Sequence, residues 1–207
     1  MVVPDQRCTT RAERALALHR IRDTARARAN RKFLGKRGYL FVRATARASV
    51  ALMRVCQPRP VERKWWHRDL ALDLDRVRDW GAAAVVTLLE PRELTLLRVE
   101  CLGEEVLRRN MLWFHLPVVD ASIPDERFES RWAVVGEELR LLLGRGLDVL
   151  VHCRGGLGRA GTIAARLLVE LGMEPTKAIA TVRAVRPGAI ENGDQEKFLL
   201  HLSTTRK

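Results

Sequence analysis

The residues best suited to chemistry lie in one segment, His152-Cys-Arg-Gly-Gly-Leu-Gly-Arg159. The segment follows an apolar run that predicts a strand and precedes a pattern that predicts a helix, so Cys153 stands at a strand end and faces a helix N-terminus. Its three glycines let the backbone curl so that successive N–H groups point inward at an anion. The helix N-terminus adds a partial positive charge in the same direction. The segment therefore predicts an anion-binding loop around a cysteine.

Arg159 closes this loop, and its guanidinium group can hold two oxygens of one phosphate. Donors and positive charge around a cysteine stabilise the thiolate, so Cys153 is the predicted nucleophile for attack on a phosphate dianion. With the residue counts of this chain, the pattern His-Cys-x-x-Gly-x-x-Arg is expected by chance on the order of one in a thousand. A buried structural cysteine beside a glycine-rich turn is the alternative. The predicted substrate-binding residues are Arg154, Gly155, Gly156, Leu157, Gly158 and Arg159.

Helical and strand patterns alternate around this loop. Two continuous apolar runs, 83–89 and 148–152, are typical of strands buried on both faces. The predicted strands span 83–89, 111–119 and 148–152, and the predicted helices span 69–80, 103–109, 125–143, 160–171, 175–185 and 194–202. This alternation predicts an α/β fold with a central, mostly parallel sheet flanked by helices. Ligands of such sheets bind at the carboxyl ends of the strands, where the loop lies.

The excess positive charge belongs to one part of the chain. The net charge is +12, yet residues 1–64 hold 17 basic and four acidic side chains, whereas residues 65–207 hold 20 and 21. No hydrophobic period persists in residues 1–64, so we expect a basic, weakly ordered N-terminal extension followed by a folded domain over residues 65–207. Segments 39–42 and 49–55 are its only candidates for strands that complete the sheet. Such charge allows nucleic acid or an anionic surface as a partner, but no recognition motif favours either.

The apolar runs, the first residues and the cysteines indicate the cellular location of the protein. No apolar run approaches the roughly 20 residues that span a bilayer, and the first residues lack the pattern of a signal peptide. The four cysteines form neither a zinc pair nor a dense disulfide framework. These observations predict a cytoplasmic protein without a transmembrane segment, and we expect neither a metal nor a cofactor.

The loop resembles the signature of cysteine-dependent protein phosphatases, in which five residues separate a His-Cys pair from an Arg. Its Gly-Gly-Leu-Gly-Arg part is most similar to the cyclin-dependent kinase inhibitor 3 type of dual-specificity phosphatase. The resemblance runs from about Asp69 to Leu202 and includes segments 81–90, 116–125 and 186–195. It implies a protein tyrosine phosphatase-like fold of the dual-specificity type for residues 65–207. It also implies that a phosphoprotein is hydrolysed, at phosphotyrosine and/or phosphoserine/threonine, through a phosphocysteine intermediate.

Attack by Cys153 requires an acid that protonates the leaving oxygen. The loop after the 111–119 strand offers Asp120 and Asp125, and similarity to the general-acid loop of the family selects Asp120. Asp125 is more simply explained as the N-cap of the next helix. In the second step, Gln195 lies where related phosphatases carry a glutamine that positions water, although a glutamine that opens a helix is often only solvated.

One position departs from the family pattern. The family usually has Ser or Thr directly after the signature arginine, where the hydroxyl helps the thiolate to leave. Here that residue is Ala160, and the nearest hydroxyl belongs to Thr162. Breakdown of the intermediate is the step that this departure affects.

Two other functions remain open. The same chemistry could act on RNA 5′-phosphates or phosphoinositides, toward which the basic segment would help, or Ala160 could leave a catalytically weak phosphate-binding module. We expect His152 to orient Cys153 by hydrogen bonding. Arg183 and Arg186 are expected on an exposed helix face, with binding of a second negative group as the alternative. The sequence does not specify the physiological substrate or the oligomeric state.

Overall fold

A computed structural model of the protein describes residues 40–44, 50–54 and 69–202. Its strands are β1 (Leu40–Ala44), β2 (Val50–Arg54), β3 (Ala82–Thr87), β4 (Leu112–His115) and β5 (Asp148–His152). Its helices are α1 (Leu70–Trp80), α2 (Pro91–Leu96), α3 (Leu102–Arg108), α4 (Glu126–Gly144), α5 (Gly158–Glu170), α6 (Pro175–Val185) and α7 (Gly193–Leu200). The strands form one sheet in the order β2-β1-β5-β3-β4. Strands β3, β4 and β5 are parallel, and β1 is antiparallel to β2 and β5. The predicted fold class is confirmed.

The central strands are covered by helices on both faces. Every residue of β3 and β5 is buried. Val149 and Val151 belong to the core that includes α4 and α5, whereas Leu150 belongs to a second core with α1 and α3. Successive side chains of a strand point to opposite faces, so a strand between two cores is apolar over most of its length. The sequence pattern predicted this burial correctly.

Two aspartates begin helices in the way that the sequence indicates. Asp69 Oδ1 accepts from the N–H of Leu72 at 3.1 Å at the start of α1, and Asp125 Oδ1 accepts from Phe128 N at 2.8 Å at the start of α4. These bonds satisfy main-chain donors that have no partner within the helix. Gly81 ends α1 with φ +105, a left-handed conformation that favours glycine.

The edge strand β4 is shorter than the predicted strand over residues 111–119. Regular pairing ends at His115, before Pro117, which has no N–H to donate. Leu116 N and Val118 N still donate to the carbonyls of Thr87 and Leu88, at 2.9 and 3.1 Å. This segment therefore stays against β3 and leads the chain to Asp120 at the carboxyl ends of the strands.

Strands β1 and β2 lie at the two candidate segments within residues 1–64. β1 pairs with β5 over three residue pairs, from Leu40–Val151 to Val42–Val149, and so lies beside the strand that carries the Cys153 loop. The domain boundary at residue 65 stays a prediction, although two strands precede it. The rest of the predicted extension lies outside the described residues. Among the helices that the structure describes, none is long and apolar enough to cross a membrane.

Candidate active site

The Cys153 loop joins β5 to α5 at the carboxyl end of the parallel strands. Cys153 is 8% exposed, and the N–H of Gly156 donates to its Sγ at 3.3 Å. Gly156 has φ +66, a conformation that costs glycine little and other residues more. This turn aims a main-chain donor at the sulfur.

Arg159 lies in the first turn of α5, and its side chain is only 1% exposed. Glu93 binds its guanidinium with two bonds, Nη1 to Oε2 at 2.6 Å and Nη2 to Oε1 at 2.9 Å. Nη1 also donates to Val118 O at 3.1 Å. Burial by itself would lower the pKa of Arg159, but the bonds from Glu93 and the charges of Cys153, Glu93 and Asp120 raise it above its ordinary value. Arg159 is therefore a fixed cation beside the loop.

Glu93 is a site residue that the sequence analysis missed. It lies in the first turn of α2, and its Oε2 accepts from Glu90 N at 2.9 Å in a capping box. Burial by itself would raise the pKa of Glu93. The bonds to Arg159 and the main chain, together with the charges of Arg159 and Arg154, outweigh this effect, so the pKa of Glu93 lies below its ordinary value. The Glu90-Pro-Arg-Glu93 pattern could have located the helix start. The ion pair joins residues 66 positions apart, and no local pattern encodes it.

The structure brings Asp120 to the Cys153 loop. Its Oδ1 lies 2.8 Å from Nη2 of Arg159, and its side chain is 67% exposed. Ala121 follows with φ +57, so the chain turns directly after this carboxylate. Asp125, the other candidate acid, is bound to the first turn of α4. Of the two, Asp120 is the carboxylate that contacts Arg159.

Gln195 is completely buried near the start of α7. Its Oε1 accepts from Glu191 N at 3.1 Å, and its Nε2 donates to Ser122 O at 3.3 Å. The amide therefore ties the loop before α7 to the loop that carries Asp120. That Gln195 also positions water stays a prediction.

His152 contacts a buried threonine on the neighbouring strand. Its Nε2 lies 2.8 Å from Oγ1 of Thr87, and this oxygen accepts from Trp113 Nε1 at 2.9 Å. His115 stacks on Trp113, and its Nε2 lies 2.8 Å from Leu89 O. Burial holds the pKa of His115 below its ordinary value, so His115 stays a neutral packing residue near neutral pH.

Comparison with known proteins adds the family to this geometry. The family model of the phosphatase domain of the Swiss Army Knife proteins, of the DSP-PTPase type, matches residues 71–199, more than half of the chain. The chain belongs to this phosphatase family. The resemblance in the sequence is confirmed.

Relatives and solved structures agree with the family. Cyclin-dependent kinase inhibitor 3 of Rattus norvegicus is 33% identical to this phosphatase over 135 residues, which are 64% of this chain and 62% of the relative. The Homo sapiens protein of the same name is 30% identical over the same shares, so the chain matches less than two thirds of the length of these relatives. Kinase associated phosphatase, with its catalytic-site cysteine substituted by serine, has a TM-score of 0.64 and 25% identity, over 79% of this chain and 93% of that chain. Tk-PTP in its active form has a TM-score of 0.51 and 32% identity, over 62% and 82%.

A segment before α7 braces the phosphatase loop from a second side. Arg186 is buried, and its Nη2 donates to Gly155 O at 3.1 Å. The Glu191 carboxylate accepts from Gly158 N at 3.0 Å. Between them Ile190 has φ +59, which is strained for a β-branched residue. The expectation that Arg186 lies on an exposed helix face is wrong, because its guanidinium binds the loop carbonyl.

The hydroxyl nearest to Ala160 in this phosphatase already has a hydrogen-bond partner. Ala160 is completely buried in α5, directly after Arg159. Thr162 Oγ1 donates to Gly158 O at 2.9 Å, a bond along the helix. The hydroxyl that could replace the missing one is therefore bound to the main chain.

Cys101, at the start of α3, is an exposed free thiol.

Proposed function

We propose that this phosphatase hydrolyses phosphomonoesters of proteins, at phosphotyrosine and/or phosphoserine/threonine, through a phosphocysteine on Cys153. The observation that carries the proposal is the meeting of three groups at one loop. They are the Cys153 sulfur with its Gly156 donor, the buried Arg159 cation and the exposed Asp120 carboxylate. Phosphoryl transfer to a side chain requires a nucleophile, a cation that binds the phosphate oxygens and an acid.

The first step transfers the phosphoryl group to sulfur. The phosphate of the substrate binds the N–H groups of the loop and the guanidinium of Arg159, where it replaces Asp120 on Nη2 while Glu93 keeps its hold. The Cys153 thiolate attacks phosphorus, so that the S–P bond forms and the P–O bond to the leaving group breaks. Asp120, protonated once it has left Arg159, gives its proton to the leaving oxygen.

The second step hydrolyses the phosphocysteine. Asp120, now a carboxylate, takes a proton from water as the water oxygen attacks phosphorus, and Cys153 leaves as the thiolate. In this proposal Gln195 orients the water, for which its amide exchanges the contact with Ser122 O for one with water. Ala160 supplies no hydroxyl to the departing sulfur, so we propose that this step is the slower one.

The protein substrate is proposed from the relatives. Their names, cyclin-dependent kinase inhibitor 3 and kinase associated phosphatase, connect those proteins with protein kinases. A phosphorylated kinase therefore belongs among the first substrates to be tested. The domain limits at residues 65–207 and the cytoplasmic location remain predictions from the sequence.

A substrate panel tests the function. Phosphate release by the full chain is measured on phosphotyrosine and phosphoserine/threonine peptides, a 5′-phosphorylated RNA, a phosphoinositide and an aryl phosphate. We expect the highest kcat/KM on a phosphopeptide. A higher value on RNA or phosphoinositide would change the substrate class, and no turnover of the aryl phosphate would leave a phosphate-binding module.

Cys153→Ser is the control for the mechanism. We expect it to abolish turnover but to keep vanadate affinity within the same order of magnitude, because main-chain donors and Arg159 bind the oxyanion. Substantial activity in this variant would refute the phosphocysteine.

A further inference from the structure

A chain of three polar side chains runs from the edge of the sheet to the Cys153 loop. Trp113 Nε1 donates to Thr87 Oγ1 at 2.9 Å, and this oxygen lies 2.8 Å from Nε2 of His152. Thr87 is completely buried, and His152 is 7% exposed. The strand register sets Thr87 directly opposite His152, the residue before Cys153. A hydroxyl within the apolar run of β3 thus contacts the histidine of the loop.

The protons of this chain follow from what each group can donate. An indole N–H only donates, so Trp113 uses one lone pair of the Thr87 oxygen. If His152 Nε2 also donated, the Thr87 hydroxyl would have no acceptor among the described residues, and a buried donor without an acceptor is destabilising. If Thr87 donates to Nε2 instead, the indole N–H, the hydroxyl and Nε2 are all paired. The proton of the imidazole then lies on Nδ1.

We propose that Thr87 is a positioning residue of the phosphatase reaction: it donates to Nε2 of His152 and fixes this ring as the neutral Nδ1–H tautomer directly before Cys153. The proposal rests on the proposed function of Cys153 as the nucleophile. Thr87 acts through His152 and touches neither substrate nor sulfur. A ring that can change its tautomer, rotate or take a second proton would change both the position and the field of the adjacent thiolate.

Four variants separate the hydroxyl from the rest of the side chain. Thr87→Val keeps the β-branched shape and removes the hydroxyl, and Thr87→Ser keeps the hydroxyl. Trp113→Phe removes the indole donor and leaves the Thr87–His152 pair in place. Thr181→Val is the matched control, because the Thr181 hydroxyl donates to Lys177 O on an exposed turn of α6.

The first measurement is the pH profile of alkylation by iodoacetate, followed by peptide mass spectrometry. We expect Thr87→Val to shift the midpoint for alkylation of Cys153 by about one pH unit, which corresponds to one lost buried hydrogen bond, because the ring before the sulfur is no longer fixed. The exposed Cys101 in the same molecule should react as in the wild type. On the aryl phosphate, kcat should fall about tenfold and KM should change less. Thr87→Ser should restore both quantities.

The second measurement is the proton–nitrogen correlation spectrum of the histidine rings, in which His152 should carry its proton on Nδ1. A proton on Nε2 would overturn the proposal, as would a Thr87→Val variant with a wild-type alkylation profile. A midpoint shift in Trp113→Phe or Thr181→Val as large as that of Thr87→Val would also overturn it, because the effect would not depend on the hydroxyl. If the wild type does not hydrolyse the aryl phosphate, the proposed function fails, while the alkylation profiles still decide the role of Thr87.

Discussion

Asp120 and Arg159 differ in how they are held, and this difference separates their roles. The Arg159 side chain is almost completely buried and is bound by Glu93 and the carbonyl of Val118. Asp120 is mostly exposed, and its described contact with the loop is one ion pair. A cation held on several sides can bind the same phosphate through both steps. An exposed carboxyl can exchange its partner and reach the leaving oxygen.

Asp120→Asn should lower kcat by about 10²–10⁴ on phosphopeptides with poor leaving groups and much less on an activated aryl phosphate, because only the former need the proton. Steady-state kinetics on both substrates measures the ratio. Asp125→Asn is the matched control, since asparagine also caps a helix well and α4 should remain intact. A larger loss from Asp125→Asn would move the acid to that residue.

Ala160→Ser should raise steady-state turnover if departure of the thiolate limits the wild type. Rapid mixing of the wild type with an aryl phosphate should then show a burst of product, and the burst should shrink in the variant. Thr162→Val should leave the burst unchanged, because its hydroxyl is bound to Gly158 O. A wild type without a burst, together with no gain in Ala160→Ser, would show that the second step is not limiting.

The site residues that the sequence analysis selected are close together in the chain. Cys153 lies in the loop and Arg159 in the first turn of α5, and their spacing is the basis of the predicted chemistry. Glu93 and Thr87 reach the same loop across 66 and 65 positions. Their contacts depend on the register of parallel strands, which a periodic pattern does not specify. Thr87 was one polar residue in an apolar run, and α2 is too short for a helical period.

At the scale of elements, the Glu93–Arg159 pair links α2 to α5. Each helix begins just beyond the carboxyl end of a central strand, β3 or β5. Helix α2 has six residues, too few to be stable alone. Its capping box and the buried pair hold it against the loop, so the same contact stabilises the helix and positions the cation of the site.

Glu93→Gln should lower the free energy of unfolding by about 3 kcal/mol at neutral pH, because it leaves the buried Arg159 without its bidentate partner. The pKa of Glu93 is lowered in the folded state, so its stabilising effect is present above its ordinary value of 4.5 and is lost as the pH falls through the folded-state value. Urea unfolding of both proteins at about pH 7 and about pH 4 measures this difference, which should shrink at the lower pH.

Glu104→Gln is the control for Glu93→Gln, since its ion pair with Arg108 is exposed and should contribute little. An equal effect of the two substitutions, or a difference that does not change with pH, would contradict the importance of the buried pair.

At the scale of the whole molecule, the sheet extends into the basic N-terminal segment. β1 lies between β5 and β2, so β1 covers the edge of β5, the strand that carries the Cys153 loop. The basic segment 1–64 therefore contains two strands of the sheet within its sequence. A boundary at residue 65 separates these strands from the sheet that they complete.

Two shortened chains test this boundary. A chain that begins at residue 38 should keep the melting temperature and should hydrolyse an aryl phosphate within a few-fold of the full length. A chain that begins at residue 65 should be less stable or insoluble, because it exposes the main-chain edge of β5. Equal stability and turnover of the two would place the boundary at residue 65 after all and would make β1 and β2 dispensable.

The pairing of Asp120 with Arg159 has a consequence for the heat of ligand binding. In the empty site, the Arg159 guanidinium is paired with two carboxylates, Glu93 and Asp120. A dianion added to such a site favours uptake of about one proton, and Asp120 is the group that it displaces. Titration calorimetry with vanadate in buffers of different ionisation enthalpy should reveal this proton, and Asp120→Asn should remove it. In the proposed mechanism, the arrival of the ligand would thus supply the acid of the first step with its proton.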